Sequence, residues 1–173
     1  MVADMRKLLI IMLLLAALSG VAFASPESQT DLCLLRLTPY VDIVNDAGLY
    51  PSVMLAQEIL ETAHCRSEAA NYNNFWGIKC QGGLCFSKQT WEIYEKRRWD
   101  GPLPFQVFDS PREAVEAYCR KILWQEEYQD VDYDSLDVYI DSLASVWATD
   151  PGYAGKIKDI VERYDLERFD RRE

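Results

Sequence analysis

Glu61 follows Gln57 by four residues in the run Met54-Leu55-Ala56-Gln57-Glu58-Ile59-Leu60-Glu61-Thr62, and Asn73-Asn74-Phe75-Trp76-Gly77-Ile78-Lys79 comes soon after it. Cutting a glycosidic bond takes a protonated carboxylic acid beside the leaving oxygen, and a second group that activates water or stabilises the cationic sugar. A carboxyl keeps its proton near neutral pH only against an apolar wall or a like charge. Phe75 and Trp76, folded against Glu61, are expected to supply that wall, with Trp76 also offering a flat face to a sugar ring. Asn73 and Asn74 bring amide donors and acceptors suited to sugar hydroxyls. A helical glutamate is ordinarily just solvated; its aromatic and amide neighbours single this one out.

The elements that must position these groups are readable from spacing. Pro51 starts a helix in which Val53, Ala56, Ile59, Leu60 and Ala63 recur on one face, so that Gln57 and Glu61 ride on the neighbouring face of an amphipathic helix. Ahead of it, Ser25 to Asp31 reads as a polar entry segment, Thr38-Pro39 as a helix start and Gly48 as its end. From Asn71 to Phe108 the texture turns to glycines, aromatics and alternating stretches such as Thr90-Trp91-Glu92-Ile93-Tyr94, which predicts hairpins, with Phe75 and Trp76 near the start of a strand. Ser110-Pro111-Arg112-Glu113 is a capping box opening a long helix with Ala114, Val115, Tyr118, Ile122 and Leu123 inward. A further helix is expected from Ser135 to Val146, and a last one with Asp150 as cap and Pro151 at its first position. The fold class is therefore α+β: a mainly helical lobe, a small β-hairpin lobe, and a cleft between them.

Residues 1 to 24 have the form of a signal peptide. Arg6 and Lys7 precede the apolar run Leu8 to Leu18, and Ala22-Phe23-Ala24 supplies an A-x-A cleavage site. The apolar run is short for a membrane span, so no stable anchor is expected after cleavage and the product is periplasmic or secreted. Residues 25 to 173 suffice for one domain. The net charge of −10 argues against a nucleic-acid partner and leaves a glycan to be held by hydrogen bonds and ring stacking. Export favours disulfides among Cys33, Cys65, Cys80, Cys85 and Cys119, an odd number that leaves one thiol over; Cys80 and Cys85 flank Gly82-Gly83 and are the local candidate pair. A zinc site from His64, Cys65, Cys80 and Cys85 is the rival, although two tight ligand pairs are missing. A Cys65 and His64 nucleophilic dyad is disfavoured, because neighbours on a helix point apart.

The ordered motifs resemble the glucosaminidase family of bacterial peptidoglycan hydrolases, glycoside hydrolase family seventy-three, which includes the hydrolase domain of the flagellar rod-assembly protein. Ala56, Gln57 and Glu61 match its first motif, and Asn73 to Lys79 its asparagine-asparagine-leucine-phenylalanine-glycine-isoleucine-lysine segment with the aromatic order swapped. Thr90-Trp91-Glu92, Phe105-Gln106-Val107-Phe108 and Trp147-Ala148-Thr149-Asp150-Pro151-Gly152-Tyr153-Ala154 match later signatures, so the likeness runs from about Thr38 to Tyr164.

The resemblance implies a lysozyme-like fold and an endo-acting hydrolase of β-1,4 bonds in peptidoglycan glycan strands, with no metal and no cofactor. Glu61 would be the general acid, Glu92 the second carboxylate with Glu95 as its close competitor, and Tyr153 a cleft tyrosine assisting the sugar's acetamido group. Gln57, Asn73, Asn74, Phe75 and Trp76 would contact the sugar. One departure stands out: where the family has serine-glycine-tryptophan-glycine after the glutamate, this chain has Thr62-Ala63-His64-Cys65, and a bridge from Cys65 would replace lost packing. A lytic transglycosylase is the enzymatic alternative, and an inactive glycan-binding module the non-enzymatic one.

Overall fold

The computed structural model describes residues 26–94 and 97–171; the expected signal peptide lies outside them. Six α-helices and one antiparallel hairpin are found among the described residues, joined by short 3-10 turns. No helix among them is long and apolar enough to cross a membrane.

The first helix, α1 (Pro26–Leu37), covers the segment expected to be a polar entry. Its helical spacing was hidden by polar residues: Thr30, Cys33, Leu34 and Leu37 recur every three or four positions and are all buried, whereas Leu32 and Leu35 face solvent. Thr38-Pro39 then forms a 3-10 turn (Thr38–Tyr40) with no side-chain cap, leading into α2 (Val41–Asp46). Gly48, at φ +74°, ends this stretch as a left-handed cap that few residues adopt without strain.

The helix carrying Glu61 is α3 (Pro51–Glu61), and it starts at Pro51 as the sequence predicts. It is not amphipathic. Every residue from Pro51 to Ile59 is buried, because α1, α2, a later helix and the C-terminal turn Leu166–Phe169 surround it. A helix enclosed on all sides must satisfy its polar groups internally. Asp170 does so at its N-terminus, accepting from the Ser52 backbone N–H at 2.8 Å and from the Ser52 hydroxyl at 2.7 Å.

The strands β1 (Cys85–Tyr94) and β2 (Arg97–Gln106) pair from Cys85↔Gln106 to Tyr94↔Arg97. The base of this hairpin has its own small core, in which Phe86 stacks on Tyr72 and lies beside Phe105 and Ala69. The stretch before it, expected near a strand, is an irregular segment held by Asn74. The Asn74 amide donates to the carbonyls of Ile78 (2.9 Å) and Gln106 (2.8 Å), and its oxygen accepts from the Ile78 N–H at 2.8 Å. Gly77, at φ +61°, brings this backbone within 3.9 Å of the Phe105 ring, counted from where a Cβ would sit.

Three further helices complete the body: α4 (Pro111–Trp124), α5 (Leu136–Trp147) and α6 (Tyr153–Arg163). Ser110 accepts from the Glu113 N–H as the capping box requires, but the Glu113 carboxylate reaches one residue further back, to the Asp109 N–H at 2.8 Å. Ser135 caps α5. The last helix begins two residues later than expected, since Asp150 first closes a turn onto the Gly152 N–H. The architecture is the expected α+β one, with the core between α3 and its neighbouring helices.

Removing the Asn74 side chain strands the Ile78 N–H and takes a donor from the Gln106 carbonyl, while the Ile78 carbonyl keeps the Gln106 N–H at 3.0 Å. The Asn74→Ala variant is expected to lose roughly 2–4 kcal/mol of stability, read from urea unfolding; a loss within experimental scatter would mean the segment is held by packing alone.

Candidate active site

Glu61 is the last residue of α3 and lies exposed in a groove of about 810 Å³. One wall comes from the segment Asn74 to Lys79 and from Lys88, Thr90 and Phe105 of the hairpin. The other comes from Lys121 in the last turn of α4, from Gln125 and Tyr128 after it, and from Trp147 to Asp150 and Tyr153 at the junction of α5 and α6.

The Glu61 carboxylate is fixed by two donors on the same oxygen. Tyr153 donates its hydroxyl to Oε1 at 2.8 Å, and the Trp147 indole N–H reaches it at 3.3 Å. Behind Tyr153 the contacts continue inward: Gln57 Nε2 donates to the Tyr153 oxygen at 3.3 Å, and the Tyr118 hydroxyl donates to Gln57 Oε1 at 2.6 Å. Burial, and after it the nearby Glu61 carboxylate, push the Tyr153 phenol up; burial does the same to Tyr118. Both phenols therefore stay protonated and act as donors.

Several expected sugar contacts turn out to be supports. Gln57 is fully buried behind Tyr153 and positions that tyrosine. Asn74 is spent on backbone groups, as described above. Asn73, in a left-handed conformation at φ 54°, donates to the Phe108 carbonyl and accepts from Arg36, clamping the loop from outside the groove. Phe75 and Trp76 do line the groove, but as its floor. Trp76 is only 3% exposed, with Phe75 edge-on, Tyr118 against it and its indole N–H bound to the Met54 carbonyl. An open stacking platform is thus replaced by a rigid apolar base. Glu92 pairs with Trp99 in the hairpin, and its side chain lies outside the described part, as does Glu95 altogether.

Trp147 is the site residue that spacing did not assign. Its signal was present in the Trp147-Ala148-Thr149-Asp150 signature, but nothing in a helix-terminal tryptophan announces that its N–H will meet a carboxylate. Lys121 lies over the Tyr128 and Trp147 rings at 4.8 and 5.5 Å from their centroids, which further fixes that indole.

The turn behind Glu61 is unusual. Ala63, His64 and Cys65 all have positive φ, at 50°, 62° and 58°. Non-glycine residues resist this conformation by about 1–2 kcal/mol each. Three contacts hold it: the Thr62 hydroxyl accepts from the Cys65 N–H at 2.7 Å, His64 Nδ1 lies 2.6 Å from the Thr30 hydroxyl, and a disulfide joins Cys65 to Cys33 on α1. With a second bridge between Cys80 and Cys85, and Cys119 left as a buried free thiol, neither the zinc cluster nor the cysteine–histidine dyad is assembled. Beneath the Cys33–Cys65 bridge sits Glu58, whose Oε1 accepts from Thr62 and lies 2.8 Å from the Cys65 sulfur. Burial pushes its carboxyl up to about 7, against smaller opposite pulls from the Thr62 hydrogen bond and the Arg36 charge.

A helix-enclosed core, a carboxylate at the end of its central helix and a hairpin across the groove define a lysozyme-like glycosidase fold. Residues 38–166 match the family model described as glucosaminidase, mannosyl-glycoprotein endo-β-N-acetylglucosaminidase, and the chain belongs to that family. It is 33% identical over 131 residues to the exo-glucosaminidase LytG of Bacillus subtilis, covering 69% of this chain and 46% of that protein. It is 30% identical over 142 residues to a probable N-acetylmuramidase of Lactococcus lactis, covering 74% of this chain and 32% of the relative. The chain thus spans less than half the length of these two curated relatives. Among solved structures, the catalytic domain of the Listeria monocytogenes autolysin Auto shares the fold with a TM-score of 0.73 at 24% identity, over 98% of both chains. The Salmonella typhimurium FlgJ glycoside hydrolase domain does so with a TM-score of 0.62 at 21% identity, over 79% of this chain and 97% of that one.

Replacing both Cys33 and Cys65 by alanine opens a link spanning 32 residues and is expected to cost about 3–4 kcal/mol, against about 2 for the Cys80 and Cys85 pair, which spans 5. Urea midpoints of the two double variants check that order. For Glu58, the folded protein holds a proton that the unfolded chain releases near 4.5, so its contribution to stability is complete below that pH and is lost as pH rises through about 7. Between about pH 5 and pH 8 the parent should lose roughly 3 kcal/mol more than the Glu58→Gln variant. Parallel stability profiles for the two proteins would show that Glu58 does not titrate in this window.

Proposed function

We propose that this chain is an exported endo-β-N-acetylglucosaminidase that hydrolyses β-1,4 bonds beside N-acetylglucosamine in peptidoglycan glycan strands, with Glu61 as the general acid. The observation that carries this reading is the Glu61 carboxylate held in the groove by Tyr153 and Trp147. With both donors on Oε1, the proton to be delivered belongs on Oε2, and the carboxyl plane is fixed before substrate arrives. Prepaid orientation of this kind is a main source of enzymatic rate.

Departure of the leaving sugar leaves a cationic centre to be captured. Either a water activated by Glu92 or the acetamido oxygen of the substrate completes the displacement. Glu92 lies on β1, two positions after the groove residue Thr90. Tyr153 has its hydrogen committed to Glu61 and its oxygen to the Gln57 amide, so it serves the acid directly. Peptidoglycan as substrate is supported by the names of the relatives, which include both a glucosaminidase and muramidases. Export is supported by the charged, apolar and A-x-A pattern of residues 1 to 24 and by the two disulfides.

The test is release of new reducing ends from purified peptidoglycan, with fragments identified by mass spectrometry. Glu61→Gln should lower turnover by about 10²- to 10⁴-fold while glycan binding persists, and Tyr153→Phe by about tenfold with KM little changed. Undiminished cleavage by Glu61→Gln would remove the acid role. Anhydro-sugar ends in place of reducing ends would make the protein a transglycosylase, and a parent that binds without cleaving would make it a glycan-binding module.

A further inference from the structure

A second, smaller pocket of about 310 Å³ adjoins the main groove. The two share Ile78, Gln81, Lys121 and Gln125, so the smaller one opens as an extension of the larger. Its own walls include Phe108, Arg120 and Trp124. Trp124 is 73% exposed, the largest fraction among the exposed large apolar side chains of the described residues, and stands at the last turn of α4 with nothing covering it.

The charge of this pocket runs against that of the protein. The chain carries a net charge of −10, yet Arg120 and Lys121 stand next to one another here. Arg120 has no ion-pair or hydrogen-bond partner among the described residues, and the Lys121 amine is bonded to the neutral Gln125 amide at 3.1 Å. The one acidic residue in the lining, Glu113, has its carboxylate engaged by the Asp109 N–H. Burial pushes the Lys121 amine down and Lys79 adds to this, against an upward pull from Glu127; a carboxylate arriving nearby would oppose both depressing effects. A neutral sugar ring calls for no cations, whereas an anionic group approaching so acidic a chain needs them locally.

Building on the function proposed above, we infer that the pocket of Arg120, Lys121 and Trp124 receives the carboxylate-bearing peptide branch of the glycan while the sugar backbone lies along Glu61. Arg120 and Lys121 pair with peptide carboxylates, and the exposed face of Trp124 covers the small apolar side chains between them. The site then selects peptide-substituted strands over bare ones, a choice that the groove alone has no means to make.

The experiment compares two substrates made from one peptidoglycan preparation: strands bearing peptides, and the same strands stripped of peptide by an amidase. The quantity read is the ratio of kcat/KM on the first to that on the second. The parent should prefer peptide-bearing strands, and added salt should weaken the preference. Arg120→Gln combined with Trp124→Ala should lower the ratio by about fivefold to tenfold, mainly through KM, and Trp124→Phe should keep most of it. Circular dichroism of each variant verifies its fold.

A ratio near unity in the parent, or one unchanged in the double variant while both substrates are cleaved, overturns the inference. If the parent cleaves neither substrate, the hydrolase reading itself has failed, and calorimetric binding of the same two oligomers then decides the pocket. Tighter binding of the peptide-bearing oligomer that the double variant loses supports it, and equal binding overturns it.

Discussion

A directed line of hydrogen bonds, from Tyr118 through Gln57 and Tyr153 to Glu61, is the constraint on which the rest of the site depends. Its direction is fixed chemically. The Glu61 oxygen accepts, so the Tyr153 hydroxyl donates to it; the Tyr153 oxygen then takes the Gln57 nitrogen as donor, which leaves the Gln57 oxygen to accept from the Tyr118 hydroxyl. Reversing any member would leave two donors or two acceptors facing each other in a dry interior, at a cost comparable to a lost hydrogen bond. The orientation of an exposed carboxylate is thereby set by a residue fully inside the protein.

Such a line needs a helix that passes through the core rather than over it, which explains why α3 is buried all round. Gln57 can touch Tyr118 on α4 and Tyr153 on α6 only if both helices close over the same part of α3. The same enclosure excludes water from the floor of the groove, where Phe75 and Trp76 form a base too well packed to shift. It also dictates the exit. The chain must leave α3 sharply after Glu61, through three left-handed residues, where the resembling family carries glycines on either side of a tryptophan. Here alanine and cysteine occupy the glycine positions, and the Cys33–Cys65 bridge with the Thr62 hydroxyl holds a backbone that side chains disfavour. The bridge thus takes over a task that residue choice performs elsewhere.

What was legible in the sequence follows the range of the interaction involved. Pro51, the Ser110 box and the Ser135 cap act within one helical turn, and each begins a helix where its spacing predicts. The Cys80–Cys85 pair is local too, set by the glycines between. The α+β class emerged because long periodic segments and the hairpin alternation are both strong signals. The helix α1 was missed because Thr30 and Cys33, which read as polar or ambiguous, serve as core residues once His64 and Cys65 come to meet them. The intramolecular partners of Asn74 and Gln57 are hidden for a related reason: an amide suited to a sugar is equally suited to backbone carbonyls and phenols, and only the tertiary fold decides which it finds. The Cys33–Cys65 pairing and the Trp147 contact join residues far apart in sequence, and no spacing encodes them.

Two glutamates one helical turn apart show how environment divides the labour. Glu58 and Glu61 share a helix and a side-chain length, yet one is sealed beneath a disulfide and the other opens onto a groove. Sealing favours the neutral form, and Glu58 is accordingly a carboxylic acid up to about neutral pH, placing no charge behind the turn that follows Glu61. Glu61 meets two donors, both on Oε1, in a groove of about 810 Å³. Exchanging the two environments would bury the groove carboxyl and expose the sealed one without changing the composition of the chain. The chemistry of this protein therefore resides less in its glutamates than in the arrangement of α3, which decides which of them the substrate can reach.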